Sequence, residues 1–138
     1  MTLLAAVTSI LVGNLEPGAL PPSVLAPAII VAAAKHDVDP KLLARIVVVE
    51  SGGRPDAFNA ESDDHGLVQI NARTAALYGI ETSCLTHWKC NLEASARILG
   101  DLMRMKGGRQ CLYNLGPKGR FEKYRTACER YETKLAAF

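Results

Sequence analysis

The order of apolar and polar positions predicts a chain built mostly of helices. A helix is expected over 24–36, with Ser23 as its N-cap and Pro27 tolerated in its first turn. A second helix is expected from Pro40 to Ser51, with Asp39 as its N-cap and proline at its first position. A pair of glycines follows directly and ends this second helix.

The pattern changes after the second helix. The stretch AFNAESDDHGLVQIN holds two short apolar runs around a polar segment, ESDDHG, which predicts a small β-hairpin with its turn at that segment. Four helical segments follow: one near Arg73–Tyr78, one capped by Asn91 and running to about Lys106, a short one at CLYN, and a last one from about Arg120. The sequence therefore predicts a mainly helical α+β fold with a hairpin inserted after the second helix.

Two of these helices carry an apolar stripe. In the helix capped by Asn91 the stripe is predicted at Leu92, Ala96, Leu99 and Met103. In the last helix the residues on one side are Tyr124, Cys128, Tyr131 and Leu135. We expect both stripes to face the core.

The N-terminal stretch MTLLAAVTSILVG is apolar but has no basic residue, since the first Lys or Arg is Lys35. It is a poor secretory signal, and at about 13 residues it is too short to span a bilayer. We interpret it as a docking helix or a partly ordered arm. The proline-rich NLEPGALPP that follows reads as a linker, which predicts an arm and linker over 1–22 and one domain over 23–138.

The length and net charge of the chain limit the number of domains and the kinds of partner that we expect. A chain of 138 residues, 49% of them hydrophobic, suits one folded domain with one core. A formal net charge of +2 is too small to indicate a nucleic-acid partner. The basic residues between Arg104 and Arg125 are interpreted as solvated helix faces, with attraction of peptide carboxylates as the alternative.

The four cysteines favour two disulfides. We expect Cys84–Cys90 and Cys111–Cys128, because the members of each pair are close in sequence. Such bonds indicate an oxidising compartment such as a bacterial periplasm; free buried thiols in a cytosolic protein are the alternative. A zinc site that includes His87 is disfavoured, because the Cys-x-x-Cys spacing of structural zinc sites is absent. We predict no metal and no cofactor.

An acid ends the apolar run ARIVVVESGG. Glu50 shares one face of the second helix with Leu43, Ile46 and Val47. Partial burial and the negative end of the helix dipole both disfavour a charged carboxylate there, so both raise its pKa. A carboxyl group that keeps its proton near neutral pH can protonate a leaving group. The alternative is a helix-end Glu that turns outward to water.

Three motifs give this acid a context: ESGG at 50–53, GLVQIN at 66–71 and YNLGP at 113–117. Together, over roughly residues 23–125, they resemble the lytic transglycosylase family of the goose-type lysozyme superfamily. The resemblance implies a lysozyme-like catalytic domain acting on peptidoglycan. It implies that Glu50 is the single catalytic acid, cleaving the β-1,4 bond between N-acetylmuramic acid and N-acetylglucosamine. The same carboxylate then takes the proton of the muramic C6 hydroxyl, giving a 1,6-anhydro product.

The resemblance also implies a set of substrate-binding residues. These candidates are Asn59, Gln69, Ile70, Tyr113 and Asn114. Gln69 is expected to point into a cleft and hydrogen-bond an N-acetyl group, and Tyr113 to hydrogen-bond Glu50, with a core aromatic as the alternative for Tyr113. Asn114 is expected to brace its loop, and Ser51 to give structural support.

Departures from the family pattern leave other functions open. Val68 stands where the family has Met, and Leu112 where it has Ala. The acids Glu61, Asp63 and Asp64 enter the predicted turn facing Glu50, and one of them acting as a base on water would make the enzyme a hydrolytic muramidase, such as a phage endolysin. A peptidoglycan-binding module without activity is the alternative of a different class.

The predicted partners and location follow from the same resemblance. The partners are peptidoglycan glycan strands, with a secretion or conjugation apparatus or a phage particle as a further candidate, and no nucleic acid. We expect a monomer in the bacterial periplasm or cell envelope. A phage-encoded enzyme released into the periplasm is the alternative origin.

Overall fold

Helices surround a very small sheet in the structure, a computed structural model that describes residues 1–138. The helices are α1 (Leu3–Leu11), α2 (Pro22–Lys35), α3 (Pro40–Ser51), α4 (Ala72–Leu77), α5 (Thr82–Leu85), α6 (Trp88–Arg104), α7 (Leu112–Leu115) and α8 (Arg125–Ala136). The strands are β1 (Phe58–Asn59), β2 (Asp64–His65) and β3 (Ile70–Asn71). The predicted mainly helical α+β fold, with a β insertion after α3, is confirmed.

The N-terminal stretch is the docking helix α1. Val7 and Leu11 are fully buried and belong to the same hydrophobic cluster as the later helices, and α1 contacts both α2 and α3. The division at residue 22 stays a prediction. No helix of the structure combines the length and the apolar character that crossing a membrane requires.

Helix α2 begins one residue before the predicted cap. Pro22 occupies its first turn and Pro21 precedes it, so Ser23 is not the N-cap. Proline suits this position because it has no backbone N–H that needs a partner at a helix start. Pro27 lies inside the helix, beyond the first turn in which it was predicted.

Helix α3 has the predicted bounds. The Asp39 side chain accepts a hydrogen bond from the Lys41 amide at 2.9 Å, as an N-cap does. Gly52 ends the helix in the left-handed conformation, with φ 62°, where glycine has no steric penalty. The predicted buried face is confirmed, since Leu43, Ile46 and Val47 are fully buried.

The sheet has three antiparallel strands in the order β1-β2-β3, where a two-stranded hairpin was predicted. Asp64 and His65, placed in the turn by the sequence, form the central strand and pair with both neighbours. Residues 67–69, predicted as strand, form a turn in which Gln69 has φ 51°. The prediction was wrong here because Gly66 and Gln69 both adopt positive φ, which turns the chain back beside β2.

Asn91 lies inside α6, which begins at Trp88, so its predicted role as N-cap is wrong. Its side chain is fully buried. It accepts from the Val68 amide at 3.0 Å and donates to the carbonyls of His65 (2.8 Å) and Leu85 (2.9 Å). Asn91 therefore fixes α6 to the turn after β2 and to α5.

The predicted stripe of α6 is correct in part. Leu92, Ala96 and Leu99 are buried, whereas Met103 is 40% exposed and Leu102 takes the last core position. A helix repeats every 3.6 residues, so a step of three from Leu99 to Leu102 keeps the buried face as well as the predicted step of four to Met103.

Both predicted disulfides are present, and no cysteine is free. Cys84–Cys90 joins α5 to the start of α6, and Cys111–Cys128 joins the residue before α7 to α8. Helix α8 begins at Arg125, later than the predicted Arg120, because two 3₁₀ turns at Pro117–Arg120 and Glu122–Tyr124 precede it. Its buried residues are Cys128, Tyr131 and Leu135.

Candidate active site

Glu50 lies in the last turn of α3 with its carboxyl group partly buried. Burial raises the pKa of Glu50 from 4.5 to about 7. The hydrogen bond from Tyr131 lowers this pKa, the charge of Asp64 raises it, and the charge of Lys134 lowers it. The alternative of a side chain turned outward to bulk water is contradicted, and at neutral pH the group exists in both protonation states.

The hydroxyl group that reaches Glu50 belongs to Tyr131. It donates to Glu50 Oε1 at 3.2 Å. Burial, followed by the charge of Glu50, raises the pKa of Tyr131 far above its usual value, so the hydroxyl remains a donor. The spacing of apolar residues predicts Tyr131 only on the core side of the last helix. The available signal was its spacing of three residues from Cys128, because the disulfide of Cys128 fixes that face of α8.

Tyr113 does not hydrogen-bond Glu50, so the predicted contact is wrong. Its hydroxyl donates to the Val68 carbonyl at 2.9 Å. Burial raises the pKa of Tyr113, and the charge of Glu50 raises it further, which places the phenol near the acid. Tyr113 therefore holds the turn after β2 beside Glu50.

Two further side chains hold this turn. The buried Ser51 hydroxyl donates to the Leu67 carbonyl at 2.6 Å and accepts from the Gly53 amide at 3.1 Å, which confirms its predicted structural role. The Gln69 amide nitrogen donates to the carbonyls of Ala57 and Gly66, both at 3.0 Å. Gln69 thus keeps its carbonyl oxygen for a ligand, and its predicted contact with an N-acetyl group would be as an acceptor.

The other predicted binding residues lie in different surroundings. Asn59 is exposed on β1, where its Oδ1 accepts from the Glu61 amide at 3.1 Å. Ile70 is 3% exposed, so its side chain belongs to the core and only its backbone can meet a ligand. Asn114 is exposed, and its side chain makes no hydrogen bond, so the predicted bracing role is not observed.

Among the three predicted acids of the turn, Asp64 is the one whose charge acts on Glu50. It lies on β2 opposite Asn59 and accepts from the Ser62 hydroxyl at 2.7 Å. Asp63 instead pairs with His65 Nε2 at 2.7 Å, and Glu61 is exposed without an ion pair. Asp64 is thus the carboxylate that could share chemistry with Glu50.

An open pocket of about 560 Å³ lies beside Glu50, within the size range of small-ligand sites. Its wall includes Glu50 and Arg54 from the end of α3, and Glu16 and Pro17 from the N-terminal linker. A pocket of about 700 Å³ lies along the Cys84–Cys90 disulfide and does not include Glu50. The smaller pocket is the better candidate, because a strongly perturbed carboxyl group lines it.

One cluster has the spacing of metal ligands. Cys111, Cys128 and Glu132 have ligand atoms within 4.8 Å of one another. The two sulfur atoms are joined in a disulfide, which removes the thiolates that would bind a metal. Glu132 instead pairs with Arg109.

A protein-family model matches most of the chain. Residues 27–133 match the family model described as Transglycosylase SLT domain. The matched range includes Glu50, the turn after β2, Tyr113 and Tyr131, and it leaves α1 and the linker outside. No curated protein matches the chain.

Proposed function

Because the chain belongs to the transglycosylase SLT family, which acts on peptidoglycan in the cell envelope, we propose that it is a lytic transglycosylase. The bond cleaved is the β-1,4 link between N-acetylmuramic acid and N-acetylglucosamine, and the product is 1,6-anhydro-N-acetylmuramic acid. The observation that carries this proposal is Glu50, a carboxyl group with a pKa of about 7 in the wall of an open pocket.

The first half of the reaction uses protonated Glu50. Its proton passes to the glycosidic oxygen as the bond between that oxygen and C1 breaks, and the N-acetylglucosamine side leaves as an alcohol. Glu50 becomes a carboxylate at this moment. The hydrogen bond from Tyr131 stabilises that charge, because a donor favours the ionised form of a carboxyl group.

The second half uses the carboxylate as a base. It takes the proton of the C6 hydroxyl group of the muramic residue, and O6 forms a bond with C1 of the same sugar. No water is consumed, and Glu50 ends protonated, ready for the next cycle. A single group that acts as acid and then as base works best with a pKa near the working pH, which agrees with a value of about 7.

A hydrolytic muramidase is the second candidate, and one observation favours it. The charge of Asp64 acts on Glu50, so Asp64 is the second carboxylate through which a water molecule could be activated. A module without activity fits less well, because a protein that only binds glycan has no need of a carboxyl group with a raised pKa.

The released products separate these candidates. Purified cell walls are digested with the wild type, Glu50→Gln and Asp64→Asn, and the soluble fragments are identified by mass spectrometry. We expect the wild type to release fragments that lack one water and have no reducing end, Glu50→Gln to release none, and Asp64→Asn to give the same anhydro product. Reducing ends that disappear in Asp64→Asn would establish hydrolysis, and unchanged release by Glu50→Gln would refute an enzymatic role for this acid.

The proposed location is the bacterial periplasm, where the enzyme works as a monomer. Two disulfides support an oxidising compartment of this kind. The predicted settings, a secretion or conjugation apparatus and a phage particle, remain hypotheses about its partners.

A further inference from the structure

The N-terminal linker forms part of the pocket that holds Glu50. The Glu16 amide donates to the Gly52 carbonyl at 2.8 Å, and the Leu20 amide donates to the Gly53 carbonyl at 3.0 Å. These bonds fix the linker against the end of α3. Residues before 27 lie outside the family match, so this wall of the pocket is built from a part of the chain that the family model does not describe.

The two glycines after α3 are what allow the linker to come so close. A Cβ on Gly53 would lie 3.2 Å from the Ala19 Cβ and nearer still to the Leu15 side chain. A Cβ on Gly52 would lie within 2.9 Å of the Glu16 Cβ. Any side chain there would push the linker away from the pocket.

This wall brings two opposite charges together without pairing them. Glu16 and Arg54 both line the pocket with Glu50, both are exposed, and neither takes part in an ion pair. Arg54 donates through Nε to the Ser51 carbonyl at 3.4 Å, which leaves its terminal N–H groups free. Both charges are thus available to a ligand in the pocket.

We propose that Glu16 and Arg54 form a binding site for the peptide that the muramic residue carries, an inference that rests on the proposed function. The peptide stem of peptidoglycan is zwitterionic, with free carboxylates and, in many forms, a free ammonium group. Arg54 binds a carboxylate through its planar guanidinium group, and Glu16 binds the ammonium group. The sugars themselves are uncharged apart from this peptide, so two unpaired opposite charges suit the peptide and not the glycan.

The position of the site agrees with the reaction. The peptide is attached to the same muramic sugar whose C1 reacts, so its attachment point lies within a few bonds of the carbon at which Glu50 assists the reaction. Arg54 is four residues after Glu50, and the linker that carries Glu16 is hydrogen-bonded to the glycine pair between them. Complementary charge at this place selects strands that still carry their peptides.

Two substrates test the proposal. Glycan strands that carry stem peptides are compared with strands from which an amidase has removed the peptides. We expect Glu16→Gln and Arg54→Gln each to raise KM for the peptide-bearing strands by about two- to fivefold, as for exposed charged contacts. Amidase hydrolysis leaves the lactyl carboxylate on the muramic residue, where it can still meet Arg54, so the expectation of an unchanged KM for the bare strands applies to Glu16→Gln. The control is Glu122→Gln, an exposed carboxylate paired only with Arg125, which should change neither value.

An equal effect of Glu16→Gln on both substrates, or no effect on either, would overturn the site. A measurement of binding tests this site independently of the proposed reaction. In a Glu50→Gln background, the affinity for a disaccharide that carries its peptide is measured by calorimetry, with and without Glu16→Gln. Charge-dependent binding of the peptide in this background, together with no cleavage by the wild type, would refute the reaction and keep the site. Cleavage by the wild type without charge-dependent binding in this background would do the reverse.

Discussion

Replacing Glu50 by Gln should make the protein more stable at alkaline pH while removing its activity. The structure holds the carboxyl group where burial raises its pKa from 4.5 to about 7. Gln has nearly the same shape, can still accept the hydrogen bond of Tyr131, and has no charge to bury. The substitution therefore removes only the free energy that ionisation takes from the folded state.

The sign and size follow from proton linkage. Between pH 4.5 and about 7 the folded protein keeps a proton that the unfolded chain has lost, so the free energy of unfolding falls as pH rises. The stabilisation of the folded state that the retained proton provides is fully present below pH 4.5 and lost above about pH 7. A pKa difference of this size corresponds to about 3 kcal/mol. Glu50→Gln should thus match the wild type at pH 4 and exceed its unfolding free energy by about 3 kcal/mol at pH 8.

Urea unfolding of both proteins at these two pH values measures the difference. Subtracting one protein from the other at each pH cancels the titration of all other groups. The control is Glu122→Gln, whose parent side chain is 79% exposed, and which should change stability by less than about 0.5 kcal/mol at both pH values. If the advantage of Glu50→Gln does not grow between pH 4 and pH 8, the acid is not protonated in the folded protein and the reasoning fails.

Three other substitutions test the supports of this acid. Tyr131→Phe removes a hydrogen bond that lowers the pKa of Glu50, so the basic limb of the pH–rate profile should move up by about half to one pH unit; a downward shift would contradict the contact. Replacing Cys111 and Cys128 by Ala should lower the free energy of unfolding by about 3 kcal/mol in urea. It should also move the basic limb of the pH–rate profile down, because α8 covers Glu50 and burial is the largest cause of the raised pKa of Glu50. An unchanged profile would show that α8 stays in place without the disulfide. Asn91→Ala removes the three hydrogen bonds of a fully buried side-chain amide and should cost about 3 kcal/mol. A loss below about 1 kcal/mol would mean that water replaces the amide.

The catalytic helix could be predicted because its signals are local. A cap, a first-turn proline, an apolar stripe and two glycines, all within residues 39–53, fix the bounds of α3. The position of Glu50 on the buried stripe follows from helical spacing alone. The disulfides were also predictable, since each joins cysteines that are close in sequence.

The partner of Glu50 could not be predicted in the same way. Tyr131 is 81 residues away along the chain, and its approach depends on how α8 packs against α3. Spacing along α8 shows which side is buried, but not which buried group it meets. Tyr113, chosen by resemblance, is near the acid yet donates to Val68 instead.

The prediction of the sheet was wrong for a different reason. Its strands have two residues each, so alternation cannot develop within them. Positive φ at Asp63, Gly66 and Gln69 sets the path of the backbone between the strands. For Asp and Gln, a positive φ has no clear signal in the sequence. An Asn before an apolar stripe predicts an N-cap because Asn favours caps, whereas the buried side chain of Asn91 hydrogen-bonds the chain beside that sheet.

The most direct test of the central claim is a titration of Glu50 itself. The side-chain carboxyl carbon is labelled with ¹³C and followed by NMR from pH 3 to pH 9, with Glu50→Gln identifying the signal. A midpoint near pH 7, coinciding with the basic limb of the cleavage profile, is the predicted result. A midpoint near 4.5, the value of an ordinary Glu, would contradict the claim that this acid holds its proton for the substrate.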